Sequence, residues 1–63
     1  MRTYMYRIER GTAVLNRGDD KPLQTVAKCK TDAEAKQACL DHFRKACQRA
    51  GNLGHPMPQL VWF

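Results

Sequence analysis

The sequence predicts an α+β fold, in which a small antiparallel sheet of three to four strands packs against one amphipathic helix in the order β-β-(β)-α-β. Three observations predict this fold. Short segments alternate between polar and apolar residues, which is typical of half-buried strands. One long segment repeats its apolar residues with the period of a helix. The chain has 63 residues, the size of a single domain, so we expect residues 1–63 to form one compact domain.

The first strand is predicted by strict alternation over residues 3–10. Tyr4, Tyr6 and Ile8 fall on one face, which we expect to be the face that meets the helix. Gly11 follows directly and permits either a turn or a bulge.

The middle of the chain predicts a turn and a further strand. Residues 12–16 either continue the first strand or reverse it. Residues 17–22 contain glycine, aspartate and proline together, which makes them the strongest turn signal of the chain. Alternation over residues 23–30 predicts the next strand. Its two faces would carry Leu23, Thr25, Ala27 and Cys29, and Gln24, Val26, Lys28 and Lys30.

The helix is predicted over residues 31–51. Thr31 is a good N-cap, and Glu34 three residues later completes a capping-box pattern. Gly51 can end the helix, because glycine adopts the left-handed conformation without steric cost. One apolar stripe, which we expect to face the sheet, comprises Ala35, Cys39, Phe43, Ala46 and Ala50.

The last part of the chain predicts a loop and an apolar strand. Residues 52–58 contain one glycine and two prolines, so we expect a loop. Residues 59–63 are uncharged and mostly apolar, which suits a terminal strand or a docking tail. Such a strand would close the edge of the sheet or pair with a second subunit. We expect Trp62 and the tyrosines to pack rather than to be exposed.

The three cysteines do not predict a disulfide framework. Cys39 lies in the middle of the apolar stripe, and we expect it in the core. Cys47 lies eight residues further along the helix, about 12 Å away at 1.5 Å per residue, which is too far for a bond to Cys39. Because Cys47 lies on the edge of the stripe, it is our candidate for an intersubunit disulfide in a homodimer.

No pattern in the sequence predicts catalysis, a metal site or a cofactor. Cys39 and His42 lie one helical turn apart, and Cys29 or His55 could complete a zinc set, but the spacing matches no zinc module. The sequence has no glycine-rich phosphate loop and no spacing that joins a nucleophile to a base. We therefore expect a protein without enzymatic activity.

The charge of the chain predicts its partners. The net charge is +5, which favours nucleic acid, an acidic protein surface or a nucleoprotein complex. The predicted binding surface comprises the cationic end of the helix and two lysines at the neighbouring strand end, namely Arg44, Lys45, Gln48, Arg49, Lys28 and Lys30. A solvated helix face, whose cations complement the helix dipole, is the alternative interpretation of the same residues.

The sequence also predicts the location of the protein. No apolar stretch approaches the ~20 residues that a membrane span needs, and no apolar run follows the first four residues. We therefore expect no signal peptide, no membrane contact and a cytoplasmic protein.

Two resemblances suggest a function. A sheet followed by Thr31-x-x-Glu34-Ala35 and a helix is similar to small sheet-reading DNA-binding modules, such as the arm-type domains of phage integrases. That resemblance implies a small basic regulator of DNA or RNA. The groove-facing residues would then be Met5, Arg7, Glu9, Gln24, Lys28 and Lys30.

In size, charge and single-helix layout the chain also resembles the small accessory proteins of phages and mobile elements, among them the anti-CRISPR proteins. That resemblance implies a non-enzymatic inhibitor. Such a protein would bind a host protein or nucleoprotein effector complex in the host cytoplasm and block its recognition of target DNA.

Overall fold

The computed structural model describes residues 2–18 and 22–63. Over these residues the chain forms four strands and one helix: β1 (Thr3–Glu9), β2 (Thr12–Asn16), β3 (Gln24–Lys28), α1 (Asp32–Asn52) and β4 (Gln59–Trp62). The strands form one sheet in the order β3-β2-β1-β4. The predicted α+β fold, with a small sheet and one helix, is confirmed. The predicted turn over residues 17–22 lies partly outside the described residues, because it includes 19–21.

A two-residue turn reverses the chain between β1 and β2. Glu9 pairs with Thr12, and both Arg10 (φ 48°) and Gly11 (φ 78°) have positive φ angles, as a hairpin turn of the primed type requires. A hydrogen bond from outside the hairpin also stabilises this turn. The Gly11 oxygen accepts a hydrogen bond of 2.8 Å from the Cys29 N–H, which fastens the hairpin tip to the start of the helix connection.

The fourth strand makes the sheet mixed, whereas the sequence predicted an antiparallel sheet. β1, β2 and β3 pair antiparallel, whereas β4 pairs parallel to β1 at the opposite edge from β3. A parallel return needs a long crossover, and α1 supplies it while packing over β1, β2 and β3. The apolar segment at 59–63 is therefore an edge strand of this sheet.

The predicted alternation of β3 is wrong, because a bulge interrupts its pairing with β2 opposite Ala13 and Val14. A bulge adds one residue to a strand. Residues on its two sides that strict alternation would place on one face therefore lie on opposite faces. Gln24 pairs with the core residue Leu15 and lies on the helix side of the sheet, while Thr25 pairs with Val14 on the other side.

The helix begins as predicted and ends later. The Thr31 hydroxyl accepts a hydrogen bond of 3.2 Å from the Glu34 N–H, as expected of an N-cap. The prediction that Gly51 ends the helix is wrong, because α1 continues to Asn52 and Gly54 (φ 71°) is the left-handed residue.

Two hydrogen bonds close the C-terminus of α1. The Gly54 N–H donates to the Gly51 oxygen (3.2 Å), and the His55 N–H donates to the Ala50 oxygen (2.8 Å). This pair of bonds is the Schellman motif, with Gly54 in the position that Gly51 was expected to occupy.

The core lies between α1 and the inner face of the sheet. Its buried residues are Tyr4, Tyr6, Ala13, Leu15, Ala35 and Cys39, and Phe43, Ala46, Val26 and Leu60 pack against them. The predicted aromatic face of β1 and the predicted stripe of the helix are thus the two halves of the core. Trp62 is only partly packed, because its ring centroid lies 6.0 Å from that of Tyr6 while 41% of the residue stays exposed.

Candidate functional site

A cleft of about 630 Å³ lies between the C-terminal half of α1 and one end of the sheet. β1 begins and β2 ends at this end of the sheet, because the two strands run antiparallel. The helix side contributes His42, Lys45 and Arg49, and the loop before β4 contributes His55. The sheet, the helix and the loop before β4 therefore all contribute to the cleft.

Four cationic residues line this cleft. Arg2 and Arg17 flank the sheet end, while Lys45 and Arg49 lie one turn apart on α1. All four are exposed to solvent. Among the described residues that line the cleft, none is Asp or Glu. We call this site the cationic cleft.

Arg17 is fixed by an aromatic ring. Its guanidinium carbon lies 5.2 Å from the centroid of the Tyr4 ring, a distance at which a cation is attracted to the ring face. The sheet register accounts for this contact. Met5 pairs with Asn16, so Tyr4, which precedes Met5 in β1, lies opposite Arg17.

His42 is held neutral at the inner wall of the cleft. Its Nδ1 lies 2.8 Å from the Tyr6 hydroxyl oxygen. Burial lowers the pKa of His42, and the positive charges of Arg17, Lys45 and Arg49 lower it further.

The Tyr6 hydroxyl in this hydrogen bond is protonated. Burial, and to a smaller extent the nearby Cys39 thiol, raise the pKa of Tyr6 above its ordinary value. One ring nitrogen of His42, Nδ1, is therefore paired with Tyr6, and Nε2 is the other polar atom of the imidazole.

The cysteines have separate environments. Cys39 is fully buried, as predicted, and burial together with Cys29 raises the pKa of its thiol. Cys47 is half-buried on the helix, and none of the three cysteines, all of which are described, is in a disulfide. Within residues 2–18 and 22–63, no three His, Cys, Asp or Glu side chains group as metal ligands. The intersubunit disulfide at Cys47 stays a prediction.

Only part of the predicted helix surface lines the cleft. Lys45 and Arg49 line it, whereas Arg44 and Gln48 are exposed outside it. The binding role of these four residues stays a prediction.

The two predicted lysines outside the helix lie elsewhere. Lys28 ends β3 and Lys30 precedes the helix, so both are at the N-terminal end of α1. Lys45 is thirteen residues beyond Asp32, about 20 Å along the axis at 1.5 Å per residue. The structure therefore does not bring these lysines to the cationic cleft, and their role also stays a prediction.

Sequence reasoning missed the sheet side of the cleft. Arg2 and Arg17 are separated by fifteen residues and carry no motif. The signal that could have found them is the hairpin itself, since antiparallel strands place the start of one beside the end of the next. His42 was expected only on the flank of the apolar stripe.

The outer face of the sheet, which a groove-reading module would use, has its main cation already engaged. Arg7 contacts the Glu9 carboxylate at 2.6 Å, and its guanidinium carbon lies 4.9 Å from the Phe63 ring centroid. Gln24, which would also be groove-facing, lies on the helix side of the sheet. This face therefore offers less free positive charge than the cationic cleft.

Comparison of the chain with models of protein families, with curated proteins and with solved structures gives no match. Along the described part of the chain, no helix combines the length and the hydropathy that crossing a membrane requires. Candidate functions therefore depend on the chemistry of the cationic cleft.

Proposed function

We propose that this protein is a small non-enzymatic inhibitor of the anti-CRISPR type. It acts in the cytoplasm by binding a nucleoprotein effector complex and blocking the complex's recognition of target DNA. The observation that carries the proposal is the cationic cleft, where Arg2, Arg17, Lys45 and Arg49 converge without a described carboxylate among them. The partner then needs negative charge, which a nucleoprotein complex has on its nucleic acid.

The roles of the other polar side chains support binding rather than catalysis. The Asp32 carboxylate accepts a hydrogen bond of 2.8 Å from the Gly11 N–H, and the Asp41 carboxylate accepts one of 3.1 Å from Gln37. Glu9 contacts Arg7. These carboxylates hold a turn, a helix and a sheet face, so their local structural roles account for them.

Protein captured from a cell lysate tests the proposal. The tagged chain is incubated with a lysate that contains a CRISPR effector complex, and the bound material is analysed with and without nuclease. We expect the parent chain to retain the effector proteins. We expect the Lys45→Glu/Arg49→Glu variant to lose them at an unchanged melting temperature, because the cleft then carries two negative charges.

A matched variant provides the control. Arg10→Glu/Lys36→Glu makes the same change in net charge at two exposed residues outside the cleft and outside the predicted binding surface, and is expected to keep binding. Equal loss in both variants would show that only net charge matters and would contradict a specific site.

The alternative is a small basic regulator that binds DNA or RNA alone, and the same four cations favour it. The protein content of the captured material separates the two functions. An inhibitor retains effector proteins from the untreated lysate, whereas a regulator retains nucleic acid alone, which nuclease removes. Recovery of nucleic acid without any effector protein would select the regulator.

A further inference from the structure

We infer that the cationic cleft binds an unpaired strand of nucleic acid, with backbone phosphates between its two cationic walls and one base on the Arg17 guanidinium. This inference deepens the proposed function and rests on it, because it names the part of the nucleoprotein partner that enters the cleft. It is argued from the shape of the cleft, from the position of its charges and from the Arg17–Tyr4 contact.

The shape of the cleft favours a single strand. Its volume of about 630 Å³ lies within the roughly 300–1,000 Å³ of sites that enclose small ligands, so it has room for a short stretch of nucleotides. Proteins that read a duplex insert a convex element, a helix or a two-stranded ribbon, into a groove. Here the cations line a concavity, which a duplex cannot enter.

The charges lie on both sides of that concavity. Arg2 and Arg17 belong to the sheet side, and Lys45 and Arg49 belong to the helix side. A strand lying between them would meet cations on either side of its phosphates. His42 also lines the cleft, and because its Nδ1 is paired with the Tyr6 hydroxyl, Nε2 is the ring nitrogen left to meet a ligand.

Arg17 supplies a planar group for a base. Its guanidinium carbon lies over the Tyr4 ring, 5.2 Å from the ring centroid, and the residue as a whole is exposed. Unpaired bases stack on aromatic rings and on arginine planes. Tyr4 is only 9% exposed, so a base can reach the arginine more readily than the tyrosine.

Fluorescence anisotropy tests the inference with the intact protein. The probe is a labelled oligothymidine of about ten nucleotides, within the ~4–16 nucleotides that single-strand-binding folds cover. A labelled duplex of the same length is the comparison. We expect the single strand to bind at least about tenfold more tightly than the duplex at low salt.

Two variants assign the roles within the cleft. Lys45→Gln/Arg49→Gln removes two phosphate contacts. The plot of log K against log salt, which has a negative slope, should therefore become less steep by about 1.4, at about 0.7 for each contact with a single strand. Arg17→Lys keeps the positive charge but removes the planar guanidinium group. We expect it to weaken binding by about fivefold or more, the lower end of the effect of one stacked base.

The control and the contrary results are defined in the same assay. Arg10→Gln/Lys36→Gln removes the same charge from exposed residues away from the cleft and should retain most of the affinity. Equal affinity for duplex and single strand, equal loss in the control variant, or no binding at low salt would each overturn the inference. The proposed function has its own test, because capture of effector proteins from the untreated lysate does not depend on this probe.

Discussion

Tyr6 and His42 form a partly buried polar pair beside an otherwise apolar core. Tyr6 is fully buried, and its hydroxyl is 2.8 Å from Nδ1 of His42. A buried hydroxyl without a partner costs about 1–3 kcal/mol, so this hydrogen bond removes a penalty and also fixes the imidazole in the wall of the cleft. One pair of residues therefore serves both the core and the candidate site.

The first prediction concerns the pH dependence of stability. The pKa of unfolded histidine is about 6.5, and burial and the cationic neighbours lower that of folded His42. As the pH falls below about 6.5, the unfolded chain therefore takes up a proton that the folded chain does not. Stability is lost until the pH passes the folded pKa. We expect the free energy of unfolding to fall less between about pH 7.5 and pH 5 in His42→Gln than in the parent.

Urea denaturation across this pH range measures the effect. Gln at position 42 can still accept a hydrogen bond from Tyr6, so the comparison isolates the titration. The groups that face His42 are Tyr4 and Tyr6 from β1, Arg17 after β2, and Lys45 and Arg49 on α1. The control, His55→Gln, removes an exposed imidazole from the same cleft. An equal change of slope in both variants would contradict the prediction.

At the scale of elements, the turn between β1 and β2 has a strict requirement for glycine. A Cβ atom at Gly11 would lie 2.5 Å from the Cys29 carbonyl oxygen, which is backbone and cannot move aside. Gly11 also has φ 78°, a conformation that costs other residues about 1–2 kcal/mol. Its N–H donates to Asp32, so strain at this turn would also reach the start of α1.

The second prediction compares two glycine-to-alanine substitutions. Gly11→Ala should destabilise the protein by more than about 2 kcal/mol, because the clash adds to the conformational cost. Gly51→Ala should stabilise it by about 0.5–1 kcal/mol, because Gly51 lies inside α1 and a Cβ there meets nothing within 4 Å. Thermal unfolding measures both, at about 4–8 °C for each kcal/mol. Changes of the same sign would refute this assignment of the two glycines.

The elements differ in how far the sequence predicts them. The aromatic face of β1 and the stripe around Cys39 follow from periodicity, because burial of one face imposes the period. The end of α1 does not, since Gly51 and Gly54 both suit a helix end. The Schellman bonds at Gly54 decide between them. The bulge in β3 is a property of pairing with β2, so alternation within β3 alone could not reveal it.

The same limit applies to the candidate site. Lys45 and Arg49 were among the predicted residues, because the sequence concentrates cations in the last two turns of the helix. Arg2 and Arg17 join them only through the register of the sheet, which is a long-range property. The two predicted lysines near the helix N-terminus were grouped with the cationic end by sequence alone, and the length of α1 keeps them apart.

For the molecule as a whole, the third prediction is that Cys47 forms the intersubunit disulfide on mild oxidation. Cys39 is fully buried with a raised pKa, and Cys29 packs against the core, whereas Cys47 is half-buried outside the core cluster. We expect oxidised parent and Cys29→Ser to migrate as dimers without reductant, and Cys47→Ser to remain a monomer. Light scattering with and without reductant checks the mass. A dimer that survives in Cys47→Ser would contradict the prediction.

Positive charge is distributed unevenly over the molecule, and this has opposite consequences for stability and for binding. The chain carries a net charge of +5, and four of its cations converge on one cleft. In the free protein these charges repel one another. In a complex with a polyanion they bind phosphates and release counterions, so salt opposes binding. Salt should therefore stabilise the fold while it weakens the complex.

The fourth prediction is that the melting temperature rises as sodium chloride increases from about 0.01 M to 0.15 M, where the Debye length falls from about 30 Å to about 8 Å. Differential scanning calorimetry measures the rise. It should be smaller in Lys45→Gln/Arg49→Gln, because that variant removes charge from the cleft. Lys28→Gln/Lys30→Gln lowers the net charge equally and should keep more of the rise. A melting temperature that falls with salt in the parent would mean that attraction outweighs repulsion, and that the cationic cleft is already neutralised within the folded chain.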